Sequence, residues 1–196
     1  MHTELMAHSP ASETMPAKKP PQSKPYDQGP WAHVFAPRAP GERRYWLIKS
    51  EPDVFSLDDL QAASTQTTCW DNVRNSGARN FLRDGMKVGD QVLYYHSNAT
   101  PSAIVGVCEV VREGYPDPGA FDPANAYYDA DSREETPTWF MVDVRYVSTL
   151  RRPITLQEVK ENAALANMAL VRVGRLSVVP VMPEEWATIM HLGGER

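Results

Sequence analysis

Five runs of β-forming residues lie at uneven distances along the chain, and their spacing strongly limits the folds that it can adopt. The runs cover residues 45–48, 91–97, 103–111, 138–147 and 177–181, and they are rich in branched and aromatic side chains, as strands are. Helices do not follow the strands in regular alternation, so a doubly wound parallel sheet is disfavoured. The pattern favours an α+β fold, a small mixed β-barrel with short peripheral helices.

Capping residues predict where the short helices begin. Ser56 and Thr155 each precede a helical segment and can accept hydrogen bonds from its free N–H groups, and Pro183 suits the first turn of a last helix. Gly89-Asp90 predicts a turn, and Gly106 predicts a bulge inside the strand over residues 103–111.

The first 43 residues differ in composition from the rest of the chain. They hold eight of the seventeen prolines and few large apolar side chains, a composition that cannot build a core. We therefore predict a disordered, proline-rich tail over residues 1–43 and one domain over residues 44–196. Trp31, Val34 and Phe35 can dock on that domain or serve as a short linear motif, and docking is the favoured interpretation.

Composition also bears on partners and compartment. No run approaches the ~18 apolar residues of a membrane helix, and no secretory signal is recognisable, so a cytoplasmic protein without a membrane partner is expected. Cys69 and Cys108 are expected to be reduced, buried thiols, and the scattered His and Cys residues predict no metal site and no cofactor. The net charge of -5 argues against a general nucleic-acid coat but allows a local basic rim.

Residues 69–83 carry the densest group of ligand-binding side chains. Trp70 opens the segment, Asn75 or Ser76 can cap a short helix, and Arg79 and Arg83 share one helical face while Phe81 and Leu82 turn inward. A flat ring, forked cations and amides within one segment suit a planar polar ligand close to a phosphate.

Short motifs are spread along the whole domain. They are WLIKSEP at 46–52, WDNVRN at 70–75, ARNFL at 78–82, GD at 89–90, YHS at 95–97, GV at 106–107, YPD at 115–117 and GRLS at 174–177. Together they resemble the motifs of the EVE domain family. The resemblance covers residues 44 to about 194 and implies a PUA-like barrel related to the YTH domain. It also implies recognition of a modified base in RNA or DNA, and the sequence does not choose between the two.

The resemblance and the residue chemistry together predict a base-binding pocket at the barrel mouth. Trp70 is expected to stack on the base as a pocket wall outside the core, whereas Trp46, among apolar neighbours, is expected in the core. The other predicted pocket residues are Lys49, Ser50, Asn75, Tyr95, His96, Ser97 and Trp139. A phosphate rim is expected from Arg74, Arg79 and Arg175.

Two other classes of function stay open at this stage. PUA-like relatives include ASCH proteins that resemble hydrolases of acylated cytidine, and Lys49 with Glu51 or Glu109 are the residues that such chemistry would use. A protein-binding adaptor acting through the tail is the third class. Binding is favoured over catalysis because no nucleophile elbow, phosphate loop or glycine fingerprint is present, so no catalytic residue is predicted.

Overall fold

The computed structural model describes residues 29–194. The predicted disordered tail therefore falls partly outside the described residues, over residues 1–28. No helix within the described range is both long and apolar enough to cross a membrane.

One mixed sheet of six strands organises the domain. The strands are β1 (Tyr45–Ser50), β2 (Thr67–Trp70), β3 (Gln91–His96), β4 (Ala103–Pro116), β5 (Phe140–Thr155) and β6 (Val178–Val181), in the spatial order β2-β5-β4-β3-β1-β6. Strands β1 and β3 are parallel, and every other neighbouring pair is antiparallel. The predicted α+β class is confirmed, although the sheet of the described residues is open, because no strand pairing joins β2 to β6.

Short helices surround the sheet. They are α1 (Leu57–Ala62), α2 (Ser76–Asn80), α3 (Leu156–Glu161), α4 (Ala169–Arg172) and α5 (Pro183–Gly193), and α2 continues into a π-helical turn over Phe81–Gly85. The predicted caps are confirmed: Ser56 and Thr155 each form a capping box with the acidic residue three positions later. Asn75 caps α2 by accepting from the Gly77 and Ala78 N–H groups.

Apolar clusters cover both faces of the sheet, which explains why β1 and β3 have almost continuous apolar sequences. Trp46 and Tyr94 belong to one cluster, with α1 and α2. Leu47 and Tyr95 belong to the other, with α3 and α5. Trp46 is completely buried, as predicted.

Strands β4 and β5 extend beyond their predicted ends, and strand β2 was not predicted. Strand β4 was expected to end at residue 111 but continues to Pro116. Strand β5 was expected to stop at Arg151-Arg152-Pro153 but continues to Thr155. Pro153 is tolerated because β5 has extra residues where its pairing with β4 shifts between Ile104 and Gly106, and a missing N–H is harmless in a bulge. The bulge predicted at Gly106 lies one residue earlier: Tyr94 pairs with Gly106 and Tyr95 with Ile104, so Val105 is the extra residue of β4.

Strand β2 accounts for a second correction, which concerns Cys69. Cys108 is buried as expected, but Cys69 is exposed. Strand β2 lies at the edge of the sheet, and side chains alternate along a strand. Because Trp70 turns into the core, its neighbour Cys69 faces outward.

Residues 29–43 pack against the domain, so this part of the predicted tail is ordered. Val34 is 3% exposed, and the rings of Trp31 and Phe35 lie 5.8 and 5.7 Å from that of Phe81. The docking interpretation of these side chains is thereby confirmed. The prediction of disorder is therefore wrong for residues 29–43, because composition alone does not reveal contacts made by a few well-placed apolar side chains.

Asp90 ties this N-terminal segment to the sheet. Its fully buried carboxylate accepts hydrogen bonds from the Arg38 guanidinium, from Trp46 Nε1 at 2.8 Å, and from the N–H groups of Arg44 and Lys87 at 3.0 Å each. A buried carboxylate is stable only when it is paired and hydrogen-bonded in this way. The turn predicted at Gly89-Asp90 therefore also anchors the segment before β1.

Candidate functional site

A cavity of about 440 Å³ opens beside the carboxyl end of β1. It lies between the segment that leads into α1, strand β2 and the residues that follow β2, with one contribution from the long loop before β5. Apolar and polar side chains both line it: Lys49, Ser50, Glu51, Val54, Phe55, Thr68, Cys69, Trp70, Asp71, Asn72, Val73, Arg74, Tyr127 and Ser177.

Trp70 forms an aromatic wall of this cavity and also belongs to the core. Its side chain is 8% exposed, and its ring meets Tyr94 edge to face at 5.5 Å. Tyr94 is held in turn by the hydrogen bond that its hydroxyl donates to the Phe55 carbonyl at 2.7 Å, and burial raises the pKa of that hydroxyl. Trp70 thus lines the cavity, but the expectation that it lies outside the core is wrong.

Lys49 and Ser50 bring polar groups to the same cavity. Lys49 Nζ donates to the Gly174 carbonyl at 3.0 Å, and burial lowers the pKa of this amine. The Ser50 hydroxyl donates to the Glu51 carbonyl at 3.4 Å and also makes a side-chain hydrogen bond with the Tyr94 hydroxyl, which places it between the core and the cavity. Two main-chain hydrogen bonds fix the end of β1 beside the cavity. The Lys49 N–H donates to the Ser177 carbonyl, and the Ser97 N–H donates to the Ser50 carbonyl.

Asp71 and Asn72 form the polar side of the cavity next to Trp70. Asn72 adopts a left-handed backbone conformation, with φ of 59°, and its amide donates to Asp71 at 3.0 Å. Burial, and secondly the charge of Asp117, raise the pKa of Asp71. The oxygen of the Asn72 amide is buried without a hydrogen-bond partner among the described residues.

Arg74 is fixed at the edge of the cavity. Its Nη1 donates to the buried carboxylate of Asp117 at 2.7 Å and its Nε donates to the Tyr127 carbonyl at 2.7 Å. Its Nη2 is buried and finds no partner within residues 29–194. Buried polar atoms are rarely left unpaired, and here an unpaired acceptor and an unpaired donor lie on two neighbouring residues that line the cavity.

The remaining predicted site residues have other positions. Tyr95 lies on the opposite face of the sheet, in the cluster with α3 and α5, so the prediction that its hydroxyl reads the base is corrected: the tyrosine on the cavity side is Tyr94. His96 Nε2 accepts from the Leu57 N–H at 3.1 Å, so His96 holds the start of α1 and does not line the cavity. Asn75 is occupied as the α2 cap, and neither it nor Ser97 lines the cavity.

Of the predicted phosphate rim only Arg74 lines the cavity, whereas Arg79, Arg175 and Trp139 do not. The Trp139 ring has the guanidinium carbons of Arg74 and Arg79 at 5.5 and 5.7 Å, and its Nε1 donates to Asp129 at 2.6 Å. Trp139 therefore holds arginines in place and does not line the cavity. Arg175 is exposed, next to the Gly174 carbonyl that Lys49 contacts.

The residues proposed for a hydrolase are not arranged as a catalytic pair. Glu51 lines the cavity but accepts from Asn98 at 2.6 Å, and Glu109 lies 3.6 Å from Arg145 on the sheet. Lys49 contacts a carbonyl instead of either carboxylate. In residues 29–194, no group of three or more His, Cys, Asp or Glu side chains could hold a metal ion.

Sequence reasoning missed several lining residues, above all Tyr127. Thr68 was missed because β2 was not predicted, and Phe55 because it lies in an irregular segment. Tyr127 is separated from Trp70 by 57 positions, and nothing in its local sequence shows that its loop returns to the cavity. The available signal was an adjacent Tyr127-Tyr128 pair within a long loop that is otherwise rich in Pro, Asp and Ala.

The open mixed sheet, its short peripheral helices and a cavity at the end of β1 define an α+β domain of the PUA-like class. The profile of the EVE domain matches residues 44–192, and the chain belongs to the EVE domain family. This finding confirms the resemblance seen in the separated motifs.

Named relatives agree with this assignment. Human thymocyte nuclear protein 1 is 42% identical over 165 residues, which cover 76% of this chain and 73% of the relative. A solved protein from Leishmania major is 44% identical, with a TM-score of 0.73 over 79% of this chain and 96% of that one. The crystal structure of human THYN1 protein in complex with 5-methylcytosine containing DNA is 41% identical, with a TM-score of 0.74 over 78% and 99% of the two chains.

Proposed function

We propose that this chain is a nucleic-acid-binding module that holds one modified base in the cavity beside β1. The observation that carries the proposal is the combination, in one cavity, of an aromatic wall at Trp70 with polar lining residues, two of which hold a polar atom without a partner among residues 29–194. A base offers the matching chemistry, because it has a flat face for stacking and a polar edge for hydrogen bonds. The similarity to a protein solved with 5-methylcytosine DNA supports this reading.

Access to the cavity requires the base to leave its stack. A base inside a duplex presents only its edges, whereas a base turned out of the helix can enter a pocket and expose its whole outline. Trp70 would then stack on the ring, and Ser50, Asp71 and Asn72 would read its polar edge. Arg74, at the cavity edge, is positioned to approach the adjoining phosphate.

Modified cytosine in DNA is the first ligand class to test, and the choice between DNA and RNA forms part of the proposal. A carboxylate such as that of Asp71 accepts well from the exocyclic amine of cytosine, which thymine lacks. The cytoplasmic location expected from the sequence likewise stays a prediction.

Fluorescence anisotropy with matched oligonucleotides tests the proposal. The panel holds one sequence with cytosine, 5-methylcytosine, adenine or N6-methyladenine at a single position, each as DNA and as RNA. We expect at least one modified member to bind about ten-fold or more tightly than its unmodified partner. Equal dissociation constants across the panel would overturn the proposal.

A further inference from the structure

A second aromatic surface lies at the cavity mouth, on the long loop between β4 and β5. Tyr127 and Tyr128 are 48% and 43% exposed, and of the two only Tyr127 lines the cavity. A large exposed ring beside a concave site is typical of a binding surface, because it offers contact area at little conformational cost. Tyr127 belongs to a different element from Trp70, so it presents a separate surface.

Tyr127 is held in place although it is exposed. Its N–H donates to the side chain of Asn125 at 2.8 Å, and its carbonyl accepts from Arg74 Nε at 2.7 Å. The Arg74 guanidinium also lies 5.7 Å from the centre of the Tyr127 ring and is fixed by Asp117 on its other side. An exposed side chain with a fixed backbone is preorganised for contact, which reduces the entropy lost on binding.

A base that leaves the stack exposes the face of its neighbour to water. Proteins that unstack bases commonly cover such a face with an apolar or aromatic side chain, and stacking on an aromatic ring tolerates any neighbouring base. The Tyr127 ring has the required chemistry and the required position at the entrance of the cavity. Its hydroxyl makes no hydrogen bond within the described part of the chain, so the ring face is the contact that it offers.

We propose that Tyr127 stacks on a base adjacent to the one held in the cavity, and so covers the face that the captured base has left. The inference rests on the proposed function and adds a second contact to it. The chemical class of the partner is a nucleobase flanking the modified one, whatever its sequence. Tyr128, which is equally exposed but does not line the cavity, supplies the matched control.

Substitutions in the full chain test this role. With duplex DNA that contains one 5-methylcytosine, Tyr127→Ala should weaken binding about 5- to 150-fold, the range expected for one lost stack. Tyr127→Phe should bind within about two-fold of the unaltered chain because it keeps the ring, and Tyr128→Ala should do the same. Thermal unfolding of each variant verifies that the substitution leaves the domain as stable as that of the unaltered chain.

A fluorescent neighbour locates the contact. With 2-aminopurine placed directly 5′ or 3′ of the 5-methylcytosine, binding of the unaltered chain should quench the probe at one of the two positions. Tyr127→Ala should remove that quenching, and Tyr128→Ala should preserve it. Quenching that survives in Tyr127→Ala, or an equal loss of affinity in Tyr128→Ala, would overturn the inference.

The two proposals fail in different ways. If the unaltered chain binds none of the modified oligonucleotides more tightly than their unmodified partners, the proposed function is overturned and the inference with it. If the unaltered chain prefers the modified base but Tyr127→Ala binds equally well, only the role of Tyr127 is overturned.

Discussion

Trp70 contributes to two surfaces at once. One part of its ring is packed edge to face on Tyr94, and another part forms a cavity wall. Truncation to alanine would therefore remove the wall and also open a void in the core, at a cost of about 3–5 kcal/mol. A stability measurement on Trp70→Ala cannot separate the two roles, and a variant that keeps the apolar volume is needed.

Trp70→Leu separates binding from folding. We expect it to retain part of the core contact, to lose less free energy of unfolding than Trp70→Ala, and to bind the modified oligonucleotide ~1–3 kcal/mol more weakly because the flat ring is gone. Urea unfolding and anisotropy measure the two effects. Trp46→Leu is the control: it loses the hydrogen bond to Asp90 and should be destabilised while its folded fraction binds normally. Normal binding by Trp70→Leu would contradict the assignment of Trp70 as the wall.

His96 gives the fold a pH dependence whose sign follows from its contact. Its Nε2 accepts from the Leu57 N–H at the start of α1, which requires that nitrogen to be unprotonated. Burial lowers the pKa of His96 below the ordinary value of 6.5, and the carboxylate of Asp58 opposes this only in part. Between the lowered pKa and 6.5 the unfolded chain binds more protons than the folded one, so the free energy of unfolding falls as the pH falls through that window.

His96→Gln should flatten this dependence. The Gln side-chain oxygen can accept from Leu57 but does not titrate, so the variant should lose less stability than the unaltered chain between pH 7.5 and 5. Urea unfolding at both pH values measures the difference. Parallel losses in the two proteins would show that His96 does not titrate in this range.

At the scale of elements, the segment before β1 is part of the domain. It supplies Val34 to the core, and it supplies Arg38 as a partner of the buried Asp90. Removing one partner of a buried charge typically costs about 3–5 kcal/mol. The segment therefore stabilises both the start of β1 and the π-helical turn that contains Phe81.

Two truncations test that role. Deletion of residues 1–43 should lower the thermal midpoint by about 10 °C, since 1 kcal/mol corresponds to roughly 2–4 °C for a chain of this size. Deletion of residues 1–28 removes none of the described contacts, and its midpoint should match that of the full chain. Identical midpoints for the two truncated chains would show that residues 29–43 contribute nothing to stability.

The elements also show what the sequence could and could not predict. Strands β1 and β3 were recognisable because both of their faces are buried, so their sequences are apolar throughout. For the same reason the sequence could not tell which of Tyr94 and Tyr95 faces the cavity, since a shift of one residue exchanges the faces and the pairing itself shifts between them. Strand β2 escaped prediction because it has only four residues and lies at the edge of the sheet.

The site was predictable where its parts are close in sequence, and the family resemblance added Lys49 and Ser50, which also line the cavity. Trp70, Arg74 and the cap at Asn75 lie within one segment, and local chemistry indicated their importance. Tyr127 and Ser177 reach the cavity from distant loops, and Asp117 fixes Arg74 across 43 positions. Such contacts depend on the tertiary fold, which neither spacing nor composition encodes.

At the scale of the whole molecule, charge restricts how nucleic acid can bind. Residues 44–196 hold 15 Lys and Arg against 21 Asp and Glu, and Arg74 is already paired with Asp117. A long track of phosphate contacts is therefore not available on this domain, and affinity must come mainly from the captured base and its neighbours.

Binding should accordingly depend only moderately on salt. Two or three cations near the cavity predict a slope of about −2 for log affinity against log salt with single strands. Anisotropy titrations at four salt concentrations measure this slope. A slope steeper than about −5 would reveal an extended basic surface and contradict the account.

The central claim is that the cavity beside β1 receives the base, and the indole signals of Trp70 and Trp186 test it most directly. Trp186 belongs to the cluster on the opposite face of the sheet and serves as an internal reference, with both signals assigned by Trp→Phe variants. In a ¹H–¹⁵N titration with an oligonucleotide carrying one 5-methylcytosine, the account predicts that the Trp70 indole signal shifts and the Trp186 signal stays. Binding that shifts Trp186 and leaves Trp70 unchanged would place the nucleic acid on the other face and contradict it.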